Sequence, residues 1–403
     1  MGKSYTADII IVGAGIAGLT LACLLAQHTQ YRIVVVERSD LQPQPLSIAE
    51  TSPRVSAVNP LSVKLWQHLG IWQDEALQAS PYMHMRIWDH CGGALSFDAA
   101  YNTDEVLGYV VQNALLQDKL LDKVKSSSYV RLLTSQAGME ISQSAEGVLL
   151  ELQDISVNAQ YLIGCDGAQS WVREQAALPI TTWKYEHTAI IVHVTTEHEH
   201  HRTARQKFTT EGPLAFLPLL NPHQSSIVWS VPAERATVLM ALSDEEFLGE
   251  LAFASEEILG KVTQISPRFA FPLQMRHAKQ YVKDRIIICA DAAHTVHPMA
   301  GQGLNLAMQD VLALADVFIA VQLDGGLTKQ LRQYERARKT ENWQMILVIE
   351  AIRRLYQIKT PMIQGFIQTG VKWIDKTNPL KSLVLKVASG DRSRLPTWLI
   401  EKK

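Results

Sequence analysis

The glycine loop Gly13-Ala14-Gly15-Ile16-Ala17-Gly18, set between two short apolar runs, limits the fold of this chain more than any other feature. Ala7–Val12 is a β-branched apolar run suited to a strand buried on both faces, and Arg32–Glu37 is a second one. Between them, Ile16–Gln27 has helical periodicity with small residues early. Strand, turn, helix and strand in this order imply a parallel pair joined by a right-handed crossover. Gly13 permits the tight turn. Gly15 lets backbone approach a pyrophosphate at the positive end of the helix, and Gly18 allows close helix–strand packing. Glu37 closes the second strand nineteen residues after Gly18, where an acid can accept both ribose hydroxyls of an adenosine. The pattern predicts dinucleotide binding and does not separate FAD from NAD; the bland alternative is a structural glycine turn.

Two later stretches have related character. Gly164-Cys165-Asp166-Gly167-Ala168-Gln169-Ser170 follows the apolar run Tyr161–Asp166. Its glycines around a carboxylate leave room for a cofactor, although alone it reads as a turn with an N-capping Asp. The third leaves the buried run Arg285–Ala290, passes Asp291, His294 and His297-Pro298-Met299, and reaches Gly301-Gln302-Gly303-Leu304-Asn305. A long helix starts there, from about Gly303 to Gln322, so its N-terminus offers free N–H groups. His294 and His297 sit in a proline turn without nearby carboxylates, and Glu197–His201 reads as a solvated loop, so no metal site is expected.

Of the 403 residues, 47% are hydrophobic and 19% charged, enough for two domains or one large elaborated one. Cys23, Cys91, Cys165 and Cys289 lack CxxC spacing, which argues against a zinc site or disulfide framework and fits a reducing compartment. The N-terminus reads without a signal peptide, and no apolar run of membrane-spanning length is present. Proline-rich residues 41–53 read as a loop, and Ser56–Leu69 as a helix. Residues 82–98 and roughly 184–275 alternate apolar and polar positions around turns such as Asn221-Pro222, which predicts antiparallel strands. Residues 329–375 read as helical. The expected fold is α/β: a discontinuous Rossmann-like dinucleotide-binding domain (1–80, 101–180, 277–330), an interleaved antiparallel β-sheet domain (81–100, 181–276) and a helical C-terminal region (331–403). Residues 328–403 carry 16 Lys and Arg against 6 Asp and Glu, an asymmetry suited to lipid headgroups or an acidic partner, or to a tail paired with the acidic body.

With Arg54-Val55-Ser56-Ala57-Val58-Asn59, Tyr109-Val110-Val111-Gln112-Asn113, residues 212–219 (GPLAFLPL) and Ser226-Ile227-Val228-Trp229, these stretches resemble the FAD-dependent aromatic hydroxylases of the para-hydroxybenzoate hydroxylase fold. Within them the chain is most similar to the ubiquinone-biosynthesis hydroxylases, over nearly its whole length. The resemblance implies that Gly13, Gly15, Gly18, Glu37 and the adjacent Arg38 hold the ADP part of FAD. It places Arg54 near the pyrophosphate and Gln112 near the adenosine ribose. Asp166 serves FAD and pyridine nucleotide, Asp291 the ribityl chain, and Gly301, Gln302, Gly303, Leu304 and Asn305 the isoalloxazine. The family usually has Gly where this chain has Ala290, a methyl that either crowds the cofactor or packs. The implied reaction is ring hydroxylation of a lipophilic phenol with NAD(P)H and O2, through a flavin C4a-hydroperoxide. His297, Pro298 and Met299 are expected near the reacting flavin edge, and Leu214, Phe216 and Leu217 on the substrate wall. The implied protein is cytoplasmic, with a peripheral contact to the inner face of the membrane or to a multi-enzyme complex through Arg336, Arg338, Lys339, Arg353, Arg354, Trp343 and Tyr356. Nucleic acid is not an expected partner. A soluble aromatic substrate and a non-catalytic flavin-binding scaffold are the rival readings.

Overall fold

The computed structural model describes residues 3–41, 54–89, 93–102, 105–136, 139–297, 301–321, 327–357 and 395–400. Its centre is a sheet in the order Val282–Lys283, Ile286–Ile288, Tyr161–Gly164, Ile9–Val12, Ile33–Val36, Val130–Leu133. All neighbours are parallel except the Val282–Lys283 edge. Ile9–Val12, Ile33–Val36, Tyr161–Gly164 and Ile286–Ile288 are buried at every position, as their unbroken apolar sequences require. The helices Ile16–His28, Asn113–Ser126 and Gln302–Ala320 share one core with this sheet and with a four-stranded sheet formed by Lys3–Thr6, Ile155–Ala159, Val148–Glu151 and Glu140–Gln143. Gln302–Ala320 is long and apolar enough to cross a membrane, but Leu306, Val311, Leu314 and Phe318 are packed inside the protein.

A second, nine-stranded sheet runs His294–Thr295, Phe269–Ala278, Ile180–Thr196, Gln224–Pro232, Pro213–Pro218, Thr203–Phe208, His84–Asp89, Ala94–Asp98, with Val262–Ile265 also pairing Ile180–Thr196. Pairing is antiparallel except between Thr203–Phe208 and His84–Asp89. One of its faces packs on helices Ala233–Ala241 and Asp244–Ser255 through Leu214, Phe216, Trp229, Leu239 and Phe247. These two helices interrupt a region expected to hold strands alone. Their signal was the capping box Ser243–Glu246, in which side chain and backbone bond reciprocally.

Other expectations need correction. Ser56–Leu69 is a strand, Val55–Val58, followed by a helix, Pro60–His68. Val55–Val58 pairs with Gly108–Gln112, and Asn59 caps the helix by accepting from Ser62 N while Pro60 occupies the first turn. In the Glu197–His201 segment His200 is not solvated. It is 4% exposed, with Nε2 at 2.9 Å from Leu219 O. The C-terminal helix is described over Leu327–Gln357; residues 358–394 of the expected helical tail lie outside the described residues.

A buried polar cluster fixes that helix to the core. Asp310 is fully buried. Its Oδ1 accepts from Arg338 Nε at 2.6 Å and Asn342 Nδ2 at 3.2 Å, and its Oδ2 is 2.6 Å from His294 Nε2 and accepts from Ala290 N at 3.2 Å. Burial alone would raise the Asp310 carboxyl, but His294 and the Arg338 guanidinium outweigh it and hold the group well below the usual carboxylate range. A depressed carboxylate stabilises the fold above its unfolded pKa and loses that contribution as pH falls. Arg338→Met therefore destabilises the protein by about 3–5 kcal/mol near neutrality. Urea unfolding will show the deficit, and it narrows when the comparison is repeated below about pH 4.

Candidate functional site

Each of the strands that forms the parallel core hands its next residues to the same edge of the sheet. Val12 leads to Gly13, Val36 to Glu37, Gly164 to Cys165 and Asp166, and Ile288 through Ala290 to Asp291. A cavity of ≈ 850 Å³ opens at this edge, within the range of cofactor sites. Gly15, Arg54, Cys165, Gly167, Asp291 and residues 301–305 line one side of it, and strands of the second sheet line the other.

The glycine loop is built by steric necessity. Gly13 has φ 106°, and a Cβ there would meet Cys165 O at 2.4 Å. A Cβ on Gly18 would meet Gly13 O at 2.0 Å. Gly15, Gly167 and Gly303 differ, because a Cβ on them would meet nothing within 4 Å. Those three face open space. The helix after Gly15 and the helix after Gly301 have neither a side-chain cap bond nor an acid in the first turn. Both therefore present uncapped N–H groups, a favourable seat for an anionic or electron-rich ligand.

Glu37 reaches the loop: its Oε2 accepts from Ala14 N at 2.9 Å and its Oε1 from Ser39 N at 2.9 Å. Arg38 is exposed beside it. Asp166 accepts from Val172 N at 3.0 Å, and its Oδ1 is buried without a hydrogen bond. Burial raises its carboxyl despite the bonds from Ser170 and the backbone. Asp291 is surrounded by protein yet open to the cavity. Burial raises it too, partly offset by His294 and Arg54. The Arg54 guanidinium lies 5.8 Å from the Phe271 ring centroid.

Several expected residues stand elsewhere. Gln112 does not line the cavity; its Nε2 donates to Gln78 Oε1 at 2.9 Å. The next residue, Asn113, takes the position on the wall. Asn305 belongs to the wall, but its side chain is occupied internally. Its Oδ1 accepts from Asn59 N at 2.9 Å and Ser62 Oγ at 3.1 Å, and its Nδ2 donates to Ala57 O at 3.0 Å. It thus stitches the Val55–Val58 strand to the helix start. His297 is buried, edge-on to Tyr185 at 5.1 Å, and is not a lining residue. Burial, followed by His187 and Arg353, lowers its imidazole to about 4, so it stays neutral near pH 7. Pro298 and Met299 lie outside the described residues. Leu214 and Phe216 point into the helix-covered core, and only Leu217 of that trio lines the cavity. Strand alternation explains the split.

Sequence reading missed Asn113, Gln117 and Thr295. Gln117 Nε2 donates to Ala14 O at 2.8 Å, holding the glycine loop from the neighbouring helix. Asn113 Oδ1 and Thr295 Oγ1 are buried at the cavity without hydrogen-bond partners among the described residues. Asn113 and Thr295 lie inside stretches singled out in the sequence, where neighbouring residues drew the assignment, while no local motif marks Gln117. Ala290 sits at φ 59°, a left-handed backbone that costs an L-residue roughly 1–2 kcal/mol and that glycine carries freely. The residue is buried in the core and also borders the cavity. Among the described residues, no group of three or more His, Cys, Asp or Glu side chains could hold a metal ion.

Comparison with known proteins agrees with this geometry. The family model described as an FAD binding domain matches residues 6–347. The chain is 33% identical to 3-demethoxyubiquinol 3-hydroxylase of Escherichia coli, over 95% of this chain and 98% of that protein. It is 32% identical to ubiquinone hydroxylase UbiL of Rhodospirillum rubrum, over 95% and 90%. Among solved structures, p-nitrophenol 4-monooxygenase PnpA from Pseudomonas putida DLL-E4 superimposes with a TM-score of 0.78 at 18% identity, covering 97% of this chain and 100% of that one.

The residues present fit a dinucleotide of this kind: a glycine cradle, two uncapped helix starts and polar atoms lacking partners face one cavity. Gly15→Val therefore leaves the thermal unfolding of the cofactor-free protein unchanged while weakening FAD binding at least about tenfold, since the new side chain fills the cradle. Gly18→Ala does the opposite: it collides with Gly13 O and lowers the unfolding temperature itself. Fluorescence titration with FAD and calorimetry of each variant separate the two.

Proposed function

The chain belongs to the FAD-binding-domain family of aromatic hydroxylases, with ubiquinone hydroxylases among its relatives, and from that premise we propose that it hydroxylates the ring of a polyprenylphenol-type ubiquinone precursor. It is an FAD-dependent aromatic monooxygenase. The observation that carries the substrate reading is the second wall of the cavity. Met85, Ala189, Ile191, Leu217, Val228 and Leu273 form an apolar surface opposite the glycine cradle, suited to an aromatic ring with a hydrocarbon tail.

We assign roles as follows. Glu37 takes the adenosine ribose, with Gln117 and Ala14 keeping the loop in place. The first turn of Ile16–His28 and Arg54 take the pyrophosphate. Asp291 takes the ribityl hydroxyls, and residues 301–305 back the isoalloxazine. When bound, FAD supplies the redox chemistry, accepting a hydride from NAD(P)H and activating O2 for transfer of one oxygen atom to the ring. The side chains bind, orient and exclude water; none is asked to act as a nucleophile. Asp166 is fixed on the helix start behind the cavity wall rather than lining it, and we assign it to the FAD or pyridine nucleotide through the turn Cys165–Gly167 that it supports.

Purified protein supplemented with FAD should oxidise NAD(P)H faster when a short-chain 2-polyprenylphenol is added. The extracted product should carry one added oxygen atom. Unchanged NAD(P)H oxidation and unmodified phenol would defeat the substrate assignment, and a protein that takes up no FAD would defeat the cofactor roles.

For a substrate that partitions into lipid we propose a peripheral contact at the inner face of the membrane, through a smaller surface than the basic residues suggest. Arg338 is buried on Asp310, Lys339 donates to Lys279 O, and Trp343 packs on His277 at 4.8 Å. Arg353 and Arg354 both pair with Glu350, and of Tyr356 only the backbone is described. Support for docking comes instead from Leu347, Val348 and Leu355, which are 61%, 50% and 40% exposed on the same helix, together with the positive balance of residues 328–403. Replacing Leu347 and Val348 by Glu should release the protein from anionic liposomes in a pelleting assay without altering FAD content; unchanged pelleting removes this face from consideration.

A further inference from the structure

Strand alternation leaves one amide on the apolar wall, and we propose that Gln206 anchors the substrate through its phenol oxygen, selecting an uncharged hydroxylated ring. This deepens the ring-hydroxylase reading and rests on it.

Register fixes which side chains face the cavity. Gln206 pairs with Ala215, which pairs with Val228, which pairs with Ile191. In the parallel pairing on its other side, Gln206 stands next to Ile87 and Ala204 next to Met85. Directly paired residues share a sheet face, and Ala204, Met85, Ala215, Val228, Ile191 and Gln206 all line the cavity. The flanking residues alternate to the opposite face. Lys207 Nζ there donates to Ala254 O and pairs with Glu256 at 3.1 Å. Arg205 also borders the cavity; its Nη1 donates to His200 O at 2.9 Å and Thr203 O at 3.1 Å, while its Nε has no hydrogen-bond partner among the described residues.

Gln206 is 4% exposed, and its amide has no hydrogen-bond partner among the described residues. An amide on the cavity wall is open to solvent in the empty cavity and exchanges water for a ligand hydrogen bond when the cavity fills. An amide can accept from a phenol O–H or donate to its oxygen. It offers no charge to balance a ring carboxylate; Lys207 is turned to the opposite face, and Arg205, which also borders the cavity, has its Nη1 committed to His200 O and Thr203 O. Gln206 therefore distinguishes a phenol from the same prenylarene without its hydroxyl and gives a ring carboxylate no advantage.

The test uses the oxidised FAD-loaded protein and reads dissociation constants from perturbation of the flavin absorbance. The probes are 2-geranylphenol, geranylbenzene and 3-geranyl-4-hydroxybenzoate. The wild type should bind the phenol about tenfold more tightly than geranylbenzene, the size of one net hydrogen bond. The benzoate should bind no better than the phenol. Gln206→Leu should retain the FAD spectrum and bind phenol and geranylbenzene alike. If that variant fails to hold FAD, Gln206→Asn keeps an amide but withdraws it by one methylene, and should also shrink the difference. A preference for the phenol that persists in the variant, its absence in the wild type, or tighter binding of the benzoate overturns the assignment to Gln206 while leaving the hydroxylase reading intact. Failure of all three probes to perturb the wild-type flavin overturns both.

Discussion

Parallel hydrogen bonding in the central sheet is the constraint on which the site depends. Val12 is in register with Val36 on one side and with Gly164 on the other, and Gly164 with Ile288. The residues that follow must then emerge abreast, although more than two hundred positions separate the first strand from the last. The chain builds outward from Ile9–Val12 in one direction through Ile33–Val36 and Val130–Leu133, then returns to the other side with Tyr161–Gly164 and Ile286–Ile288. Strand order reverses at Ile9–Val12, and open α/β sheets bind ligands outside the carboxyl ends at such a point. The glycine at position 13 is dictated by the same geometry, because its neighbour there is the backbone of Cys165 rather than a side chain that could move.

The second sheet solves a different problem. Its strands have one face on helices and one on the cavity, so their two side-chain sets serve unrelated ends. Leu214 and Phe216 hold the sheet to its helices, while Ala215 and Leu217 shape the cavity. Mostly small residues on the cavity side of these strands leave volume for a ligand, and large ones on the far side supply the burial that keeps the wall flat and rigid. The hairpin strands therefore carry both stability and specificity within single pentapeptides.

This division marks how far the sequence could be read. The parallel core was legible because strands buried on both faces write themselves as IIIV and IVVV, and because glycine loops have few other uses. Glu37 stood out by its place at a strand end, whereas Asp291 was assigned through the family resemblance. Face assignment on the second sheet was not legible, since Leu214, Phe216 and Leu217 are all apolar and only pairing register tells them apart. Gln112 and Asn113 illustrate the same limit at a strand-to-helix junction, where a step of one residue exchanges the wall for the exterior. Asn305 shows another. A polar residue in a cofactor motif can be fully engaged by its own backbone neighbours and act by holding the motif's shape. The helix expected over Ser56–Leu69 begins only at Pro60, because a four-residue strand has too short a period to show against the helix that follows.

Charge was the least transferable signal. The basic C-terminal residues invited a surface role, yet Arg338 is the group that lets Asp310 remain ionised inside the protein. A carboxylate buried this deeply demands several donors, and it receives them from three directions: Arg338 and Asn342 on the C-terminal helix, His294 on the short strand His294–Thr295, and the Ala290 amide just after the strand Ile286–Ile288. An apolar replacement of the whole cluster could be equally stable, so stability alone does not account for it. Its distinguishing property is connectivity. One oxygen of Asp310 holds the helix Leu327–Gln357 while the other holds the turn that presents Asp291 to the cavity, and that turn contains Ala290 in its left-handed backbone. A conformation disfavoured by its own residue persists only where its surroundings over-determine it. Here the surroundings are the cluster, so the charges in the interior and the shape of the cofactor edge are consequences of one arrangement.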